Sequence, residues 1–300
     1  MPRLLDPGDG DAIGLDDLVA TLDETLFDAR DEDSLAALGP LLARLGRNRD
    51  FLADLVIAEL EDRCSGQSNG NSYGAQVFLL RPANGRYVLR ANFWPARNDA
   101  VVRASGTAPF FYDLPHDHNF SFLTVGYQGP GYWSDYYDYD VDAVTGLPGE
   151  VAGLRFVERS RLEPGKVLLY RARRDVHRQL PPDSLSVSLN ILAYDRAQPW
   201  CDQFRFDVTG GTIAEGLTTA PSEALVALAV HLAGEHGVAL ADELATRHPA
   251  PRMRVTALRA LASRHAGEAE RRAVLARGLG DPDGYVAGYA RQALLGPKRI

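Results

Sequence analysis

Apolar residues recur at two different periods along this chain, and the changes of period divide it into three. Between residues 15 and 64, Leu15, Leu18, Leu22 and Leu26 fall at spacings of three and four, the stripe of an amphipathic helix. Ser34 is placed to cap a second helix through Leu35, Leu38, Leu41, Leu42 and Leu45. Asn48 or Asp50 starts a third, with Phe51, Leu52, Leu55, Val56 and Leu60 on its buried side. Residues 65–74, rich in Gly, Ser and Asn, break the pattern and mark a boundary.

From residue 75 to about residue 212 the period is two. Segments 76–80 and 87–93 flank Pro82-Ala83-Asn84-Gly85, and Asn-Gly between alternating runs is a strong hairpin signal. Further strands are predicted over 110–112, 121–127, 132–138, 154–159, 166–171, 185–193 and 204–208, with Gly or Pro in nearly every gap. Short strands with such turns and no intervening helices imply a sandwich or barrel. From Pro221 the helical period returns. His248-Pro249 leads to Ala257-Leu258-Arg259-Ala260-Leu261, and Asp281-Pro282 leads to Ala290-Arg291-Gln292-Ala293-Leu294, one constant offset apart. That repeat suits either stacked helical pairs or a plain bundle. The expected organisation is a helical region over 1–70, a β region over 71–215 and a second helical region over 216–300.

The chemistry sits in Pro115-His116-Asp117-His118, between two apolar runs and answered by His177. On a strand, residues two apart share a face, so His116 and His118 aim both imidazoles into one space, as a divalent metal requires. The competing reading is a turn with two solvated histidines. Asp117 points the other way on a regular strand, either as a solvated or turn-capping carboxylate or as an acceptor that orients a ligand imidazole.

A formal net charge of −8 speaks against a nucleic-acid binder, which displays a basic face. Two cysteines, Cys64 and Cys201, make no disulfide framework and fit free thiols. The first six residues carry no apolar core of signal-peptide length, and no apolar run spans a membrane. A soluble cytoplasmic protein is expected.

The β region resembles the cupins, double-stranded β-helix barrels that hold a metal inside. His116 and His118 match the His-x-His of the family's first motif and Gly129 its glycine, while Phe122 stands where the family has a glutamate. Pro164-Gly165, the run Val167-Leu168-Leu169-Tyr170 and then His177 follow the order of the second motif. The turn landmarks before that histidine are replaced by Ala172 and Arg174, and the trailing Asn by Pro181. The helical tail resembles HEAT-type repeats, most of all at Asp281-Pro282-Asp283-Gly284-Tyr285-Val286.

The resemblance implies an α+β protein, a central cupin or jelly-roll barrel flanked by N-terminal helices and a HEAT-like C-terminal region. It implies His116, His118 and His177 as metal ligands. Three neutral imidazoles leave the full divalent charge uncompensated, which favours an anionic ligand bound directly. Three-histidine cupins are chiefly non-haem iron dioxygenases of the cysteine-dioxygenase kind. The expectation is therefore an Fe(II)-dependent oxygenase using O₂, without 2-oxoglutarate, on a small anionic or amino-acid-like substrate that chelates the metal; another divalent transition metal is the alternative. Tyr132 and Tyr136 are candidate acids or hydrogen-bond donors, and Arg90, Arg103, Phe122 and Asn190 candidate substrate contacts. Ser186, Ser188 and Asn190 alternate with apolar residues, a stripe that suits either the barrel interior or the solvated face. Two readings of other classes stand beside this one. A non-catalytic metal- or ligand-binding module would use the helical regions to contact a partner or a second copy, and a metal-dependent isomerase or lyase would turn over without O₂.

Overall fold

The change of period near residue 74 is a change of element. The computed structural model describes residues 1–74 and 76–296 and divides into two units. One comprises Met1–Val141, Gly153–Gln198 and Arg205–Gly211; the other takes Asp142–Ala152, Pro199–Phe204 and the chain from Thr212 onward.

The first unit opens with β1 (Arg3–Leu5) and helices α1 (Leu15–Glu24), α2 (Glu32–Ala36), α3 (Gly39–Arg47), α4 (Phe51–Glu61) and α5 (Ser65–Gly70). The second predicted helix is in fact two, because Pro40 sits in the first turn of α3, where its missing N–H costs nothing; deeper in a helix it would break the ladder. Asp31, not Ser34, caps α2 by accepting from the Asp33 and Ser34 amides. Asn48 does the same before α4, accepting from the amides of Asp50 and Phe51. Where a loop was expected, α5 forms beside β2 (Val77–Arg81). The Gln67 side chain donates to the Leu79 carbonyl and accepts from its amide, and Asn71 donates to the Val77 carbonyl. Since β2 is an outer strand, these amides cover part of an otherwise open edge.

The remaining strands are β3 (Tyr87–Trp94), β4 (Phe122–Gln128), β5 (Trp133–Asp138), β6 (Arg155–Arg161), β7 (Val167–Tyr170), β8 (Asp175–Leu180), β9 (Ser186–Ala193), β10 (Phe204–Asp207) and β11 (Thr212–Gly216), with helix α6 (Ala100–Ser105) after β3. Among the described residues, β1-β7-β4-β9-β3-β2 form a six-stranded sheet and β6-β5-β8 a three-stranded one, antiparallel throughout. Residues 110–112 are not a strand: a 3-10 turn over Ala108–Phe110 gives way to a left-handed Phe111. Nor do His116 and His118 lie on a regular strand. His116 makes single bridges to His177 and to Arg205 within an extended segment.

The two faces of the large sheet differ. Leu89 and Ala91 of β3, Leu123 and Val125 of β4, Val167 and Leu169 of β7, and Leu189 and Ile191 of β9 pack against Leu18, Leu22, Leu42 and Leu45 of the helices in one dry core. The alternate residues, Trp94, Phe122, Leu168, Tyr170 and Leu192, meet Tyr132, Tyr136 and Tyr112 in a second cluster between the sheets. Gly129 joins β4 towards β5 at φ +76°, and a Cβ there would collide with the Leu185 carbonyl oxygen, so glycine answers both demands.

The second unit carries α7 (Pro221–Leu232), α8 (Gly234–Arg247), α9 (Pro251–Ser263), α10 (Glu268–Ala276) and α11 (Gly284–Leu295). The two repeated Ala/Leu stripes lie on α9 and α11, where Ala257, Leu258, Ala260, Leu261 and Val286 share one core. Buried Arg252 donates to Glu223 at 2.9 Å and also pairs with Asp202. No helix among the described residues is long and apolar enough to cross a membrane.

Candidate metal centre

His116 and His177 face each other across a reciprocal pair of backbone bonds, each amide donating to the other's carbonyl at 3.0 and 2.9 Å. On the other side of His116, the Phe206 amide donates to the Pro115 carbonyl at 2.9 Å. His177 in turn stands opposite Tyr136 in the β5–β8 register. His118 is held by its own carbonyl, which accepts from the Arg173 amide at 2.7 Å. The backbone thus fixes all three histidines before any side chain is considered.

Their Nε2 atoms converge. His177 Nε2 lies 3.1 Å from His118 Nε2 and 3.2 Å from His116 Nε2, and the trio forms a single cluster of potential metal ligands. His116 Nδ1 is 2.8 Å from the Leu114 carbonyl oxygen, so the ring N–H belongs at Nδ1 and the lone pair at Nε2 points into the cluster. Burial lowers the basicity of all three. At His118 and His177 the neighbouring imidazoles push it further down, well below the usual histidine range. The rings are neutral near pH 7, the form that binds a metal.

The fit to a cation follows from the spacing. Metal–nitrogen bonds of about 2.1 Å separate two donors by roughly 3.0 Å at a right angle and 3.4 Å at a tetrahedral angle. Both measured separations fall in that interval. Of the three, only His116 has its Nδ1 hydrogen-bonded to the protein; the Nδ1 atoms of His118 and His177 are buried without a partner. The donor set suits iron, zinc, copper or nickel.

Aromatic rings enclose the cluster. Phe122 stacks on Tyr170 at 4.5 Å and 7°, and both lie edge-on to His118. The Tyr170 hydroxyl is 3.0 Å from that of Tyr136, and Tyr132 hydrogen-bonds to Tyr170 and Gln179. Burial raises all three phenols, Tyr136 to about 12, so each keeps its proton and is able to donate. The structure therefore brings Tyr132, Tyr136 and Phe122 together with the triad. Tyr170, missed in the sequence reading, ends the Val-Leu-Leu-Tyr run of the Pro-Gly strand and was legible as its last inward position.

The Ser186, Ser188 and Asn190 stripe faces inward. Trp94 donates to Ser188 at 3.0 Å, and Asn190 lies 3.3 Å from Asn92. Arg90 and Thr124 both stand opposite Asn190. Arg90 Nε and Thr124 Oγ1 are buried without a hydrogen-bond partner, and the Arg90 guanidinium lies 5.1 Å from the centre of the Tyr73 ring. Its charge also helps to keep His118 neutral. Arg103 is exposed on α6. Asp117 is wholly buried and accepts a 2.6 Å hydrogen bond from Tyr139, which sequence reasoning did not pair with it.

No family model matches the chain, and no curated protein does. Among solved structures, hydroquinone 1,2-dioxygenase PnpCD in complex with Cd2+ and 4-hydroxybenzonitrile is similar at 13% identity and a TM-score of 0.26, over 42% of this chain and 68% of that one. DMSP lyase DddQ from Ruegeria pomeroyi DSS-3 is similar at 13% identity and 0.26, over 65% and 78%. A Pseudomonas putida prolyl-4-hydroxylase follows at 15% identity and 0.18, over 48% and 88%. Overlap this slight assigns neither a fold nor a chemistry.

Proposed function

We propose that the first unit is a metal-dependent oxygenase on a double-stranded β-helix of the cupin type, with His116, His118 and His177 holding one Fe(II). The observation that carries this reading is the convergence of three imidazoles, with His177 Nε2 3.1 Å from that of His118 and 3.2 Å from that of His116. Held by these three histidines, Fe(II) would supply the redox and Lewis-acid chemistry for a reaction of O₂ with an anionic substrate. With no carboxylate ligand in the trio, the charge that completes the site comes from the substrate, and no 2-oxoglutarate is required.

The chain's own groups then bind and orient. Arg90 has no acidic side chain against it among the described residues and is suited to grip a carboxylate from the sheet wall. Asn190 stands beside it in register. Tyr132 and Tyr136, protonated, donate to developing negative charge. Phe122 supplies an apolar wall, Arg103 a surface contact for an approaching anion, and Asp117 orients the ligand segment. In this proposal the helical regions, HEAT-like in the C-terminal unit, serve contacts with a partner or a second copy.

Elemental analysis of the native protein, then O₂ uptake by Fe(II)-reconstituted protein with small amino and carboxylic acids, tests the reading. One metal per chain and O₂ consumption dependent on substrate but not on 2-oxoglutarate are expected. His118→Ala should lose both. Wild-type-like turnover in that variant removes the assignment.

A further inference from the structure

Phe111 is a phenylalanine where the backbone favours a glycine. Its φ of 56° and ψ of 21° are left-handed, a conformation in which Cβ crowds the following carbonyl and which bulky residues rarely adopt. Asp113 is left-handed too, at φ 61°, so two such residues fall within three positions. The segment is clamped from both sides. Phe110 and Tyr112 are 6% and 3% exposed, their rings stack at 5.9 Å, and the Tyr112 hydroxyl donates to the Pro95 carbonyl at 2.8 Å. Between these anchors the Phe111 side chain is 54% exposed.

The fold gains little from such a ring. Asparagine or glycine would make the same turn with less strain, and a half-exposed phenyl keeps apolar surface in water. Its ring contact is functional in position: it lies 6.4 Å from the imidazole of His116. Phe120, only partly buried, stands in the same relation to His118, with ring centres 5.0 Å apart. Two of the three ligand imidazoles thus carry a phenyl that the core does not fully enclose.

We propose that Phe111 and Phe120 receive a planar apolar group of the substrate beside the triad. The ligand class is then a small anion bearing a ring, of the aryl-carboxylate kind. This deepens the metal reading and rests on it. A ring set against these phenyl groups gains both apolar burial and offset-stacked or edge contacts, whereas a short aliphatic acid would leave Phe111 exposed.

The test uses the full chain loaded with Co(II), whose visible absorption reports ligands entering its coordination sphere, titrated with benzoate and with acetate. Wild type should bind benzoate about tenfold more tightly than acetate. Phe111→Asn should lose that preference while acetate binding stays within about twofold, and Phe111→Tyr should keep it. The melting temperature of metal-free Phe111→Asn should equal or exceed that of wild type, because asparagine tolerates the left-handed backbone. Equal binding of the two acids by wild type, unchanged benzoate affinity in Phe111→Asn, or a fall in its melting temperature overturns the proposal. One Co(II) per chain with no preference for benzoate sinks this inference alone; failure to bind Co(II) sinks the triad reading as well.

Discussion

Tyr139→Phe removes a single oxygen from a buried pair. In the wild type that hydroxyl donates at 2.6 Å to Asp117, whose side chain is wholly buried between the two histidines. Burial and the carboxylate push the Tyr139 phenol up, so it donates at every pH at which the protein is handled. The ring also packs edge-on against Phe206 at 5.1 Å, and phenylalanine retains that contact. The loss is therefore one hydrogen bond to an acidic side chain in a dry place, about 2 kcal/mol. It is not the full cost of an orphaned carboxylate, because Tyr139 is not the sole partner of Asp117. For a unit of this size about 2 kcal/mol lowers the melting temperature by roughly 4–8 °C. Asp117 lies between His116 and His118, so loosening it should also weaken metal binding by about tenfold, the lower end for groups that support ligands. Calorimetry of the metal-free variant and a competition titration with a zinc chelator measure the two effects. An unchanged melting temperature together with unchanged zinc affinity would refute the idea that this pair holds the ligand segment.

Further outcomes follow from other parts of the molecule. His118→Ala should retain the fold by circular dichroism yet bind no stoichiometric metal by elemental analysis. Gly129→Ala meets both the positive φ and the Leu185 carbonyl and should cost about 3 kcal/mol in denaturant unfolding; a loss under about 1 kcal/mol contradicts the geometry. Burial raises the Asp135 carboxyl, but hydrogen bonds from Arg159 and Arg178 outweigh this and leave it below the usual range. A depressed folded-state pKa gives stability that is present above the unfolded value of about 3.9 and lost as pH falls through the folded one. Asp135→Asn should therefore melt below wild type at pH 7, with the gap closing below about pH 4; a gap independent of pH would discount the ion pairs.

The sequence disclosed the triad because its signal was local: two histidines at spacing two, then a third after a Pro-Gly strand. Most strands were legible from alternation and turns, since inward and outward positions of β4 and β9 see different surroundings. β8 was not, because Arg173, Arg174 and Asp175 disguise its start and His177, Arg178 and Gln179 make it read as polar loop. Its partners, Tyr136 across the sheet and His116 in the bridge, lie far away in sequence. The break at Pro40 needed only the rule that proline belongs to a helix's first turn. The Asp117–Tyr139 pair and the left-handed Phe111 had no sequence signal, being products of tertiary packing.

Every second residue of β3, β4 and β9 looks toward the helices, and its neighbour looks toward the histidines. Substitutions on one side should change how well the chain folds, and on the other what it accepts. Adding or deleting one residue within β9 would exchange the two sets, presenting leucine and isoleucine to the metal and serine and asparagine to the oily side. Diversity in related chains should therefore appear as replacement along these strands, with changes of length confined to the turns between them.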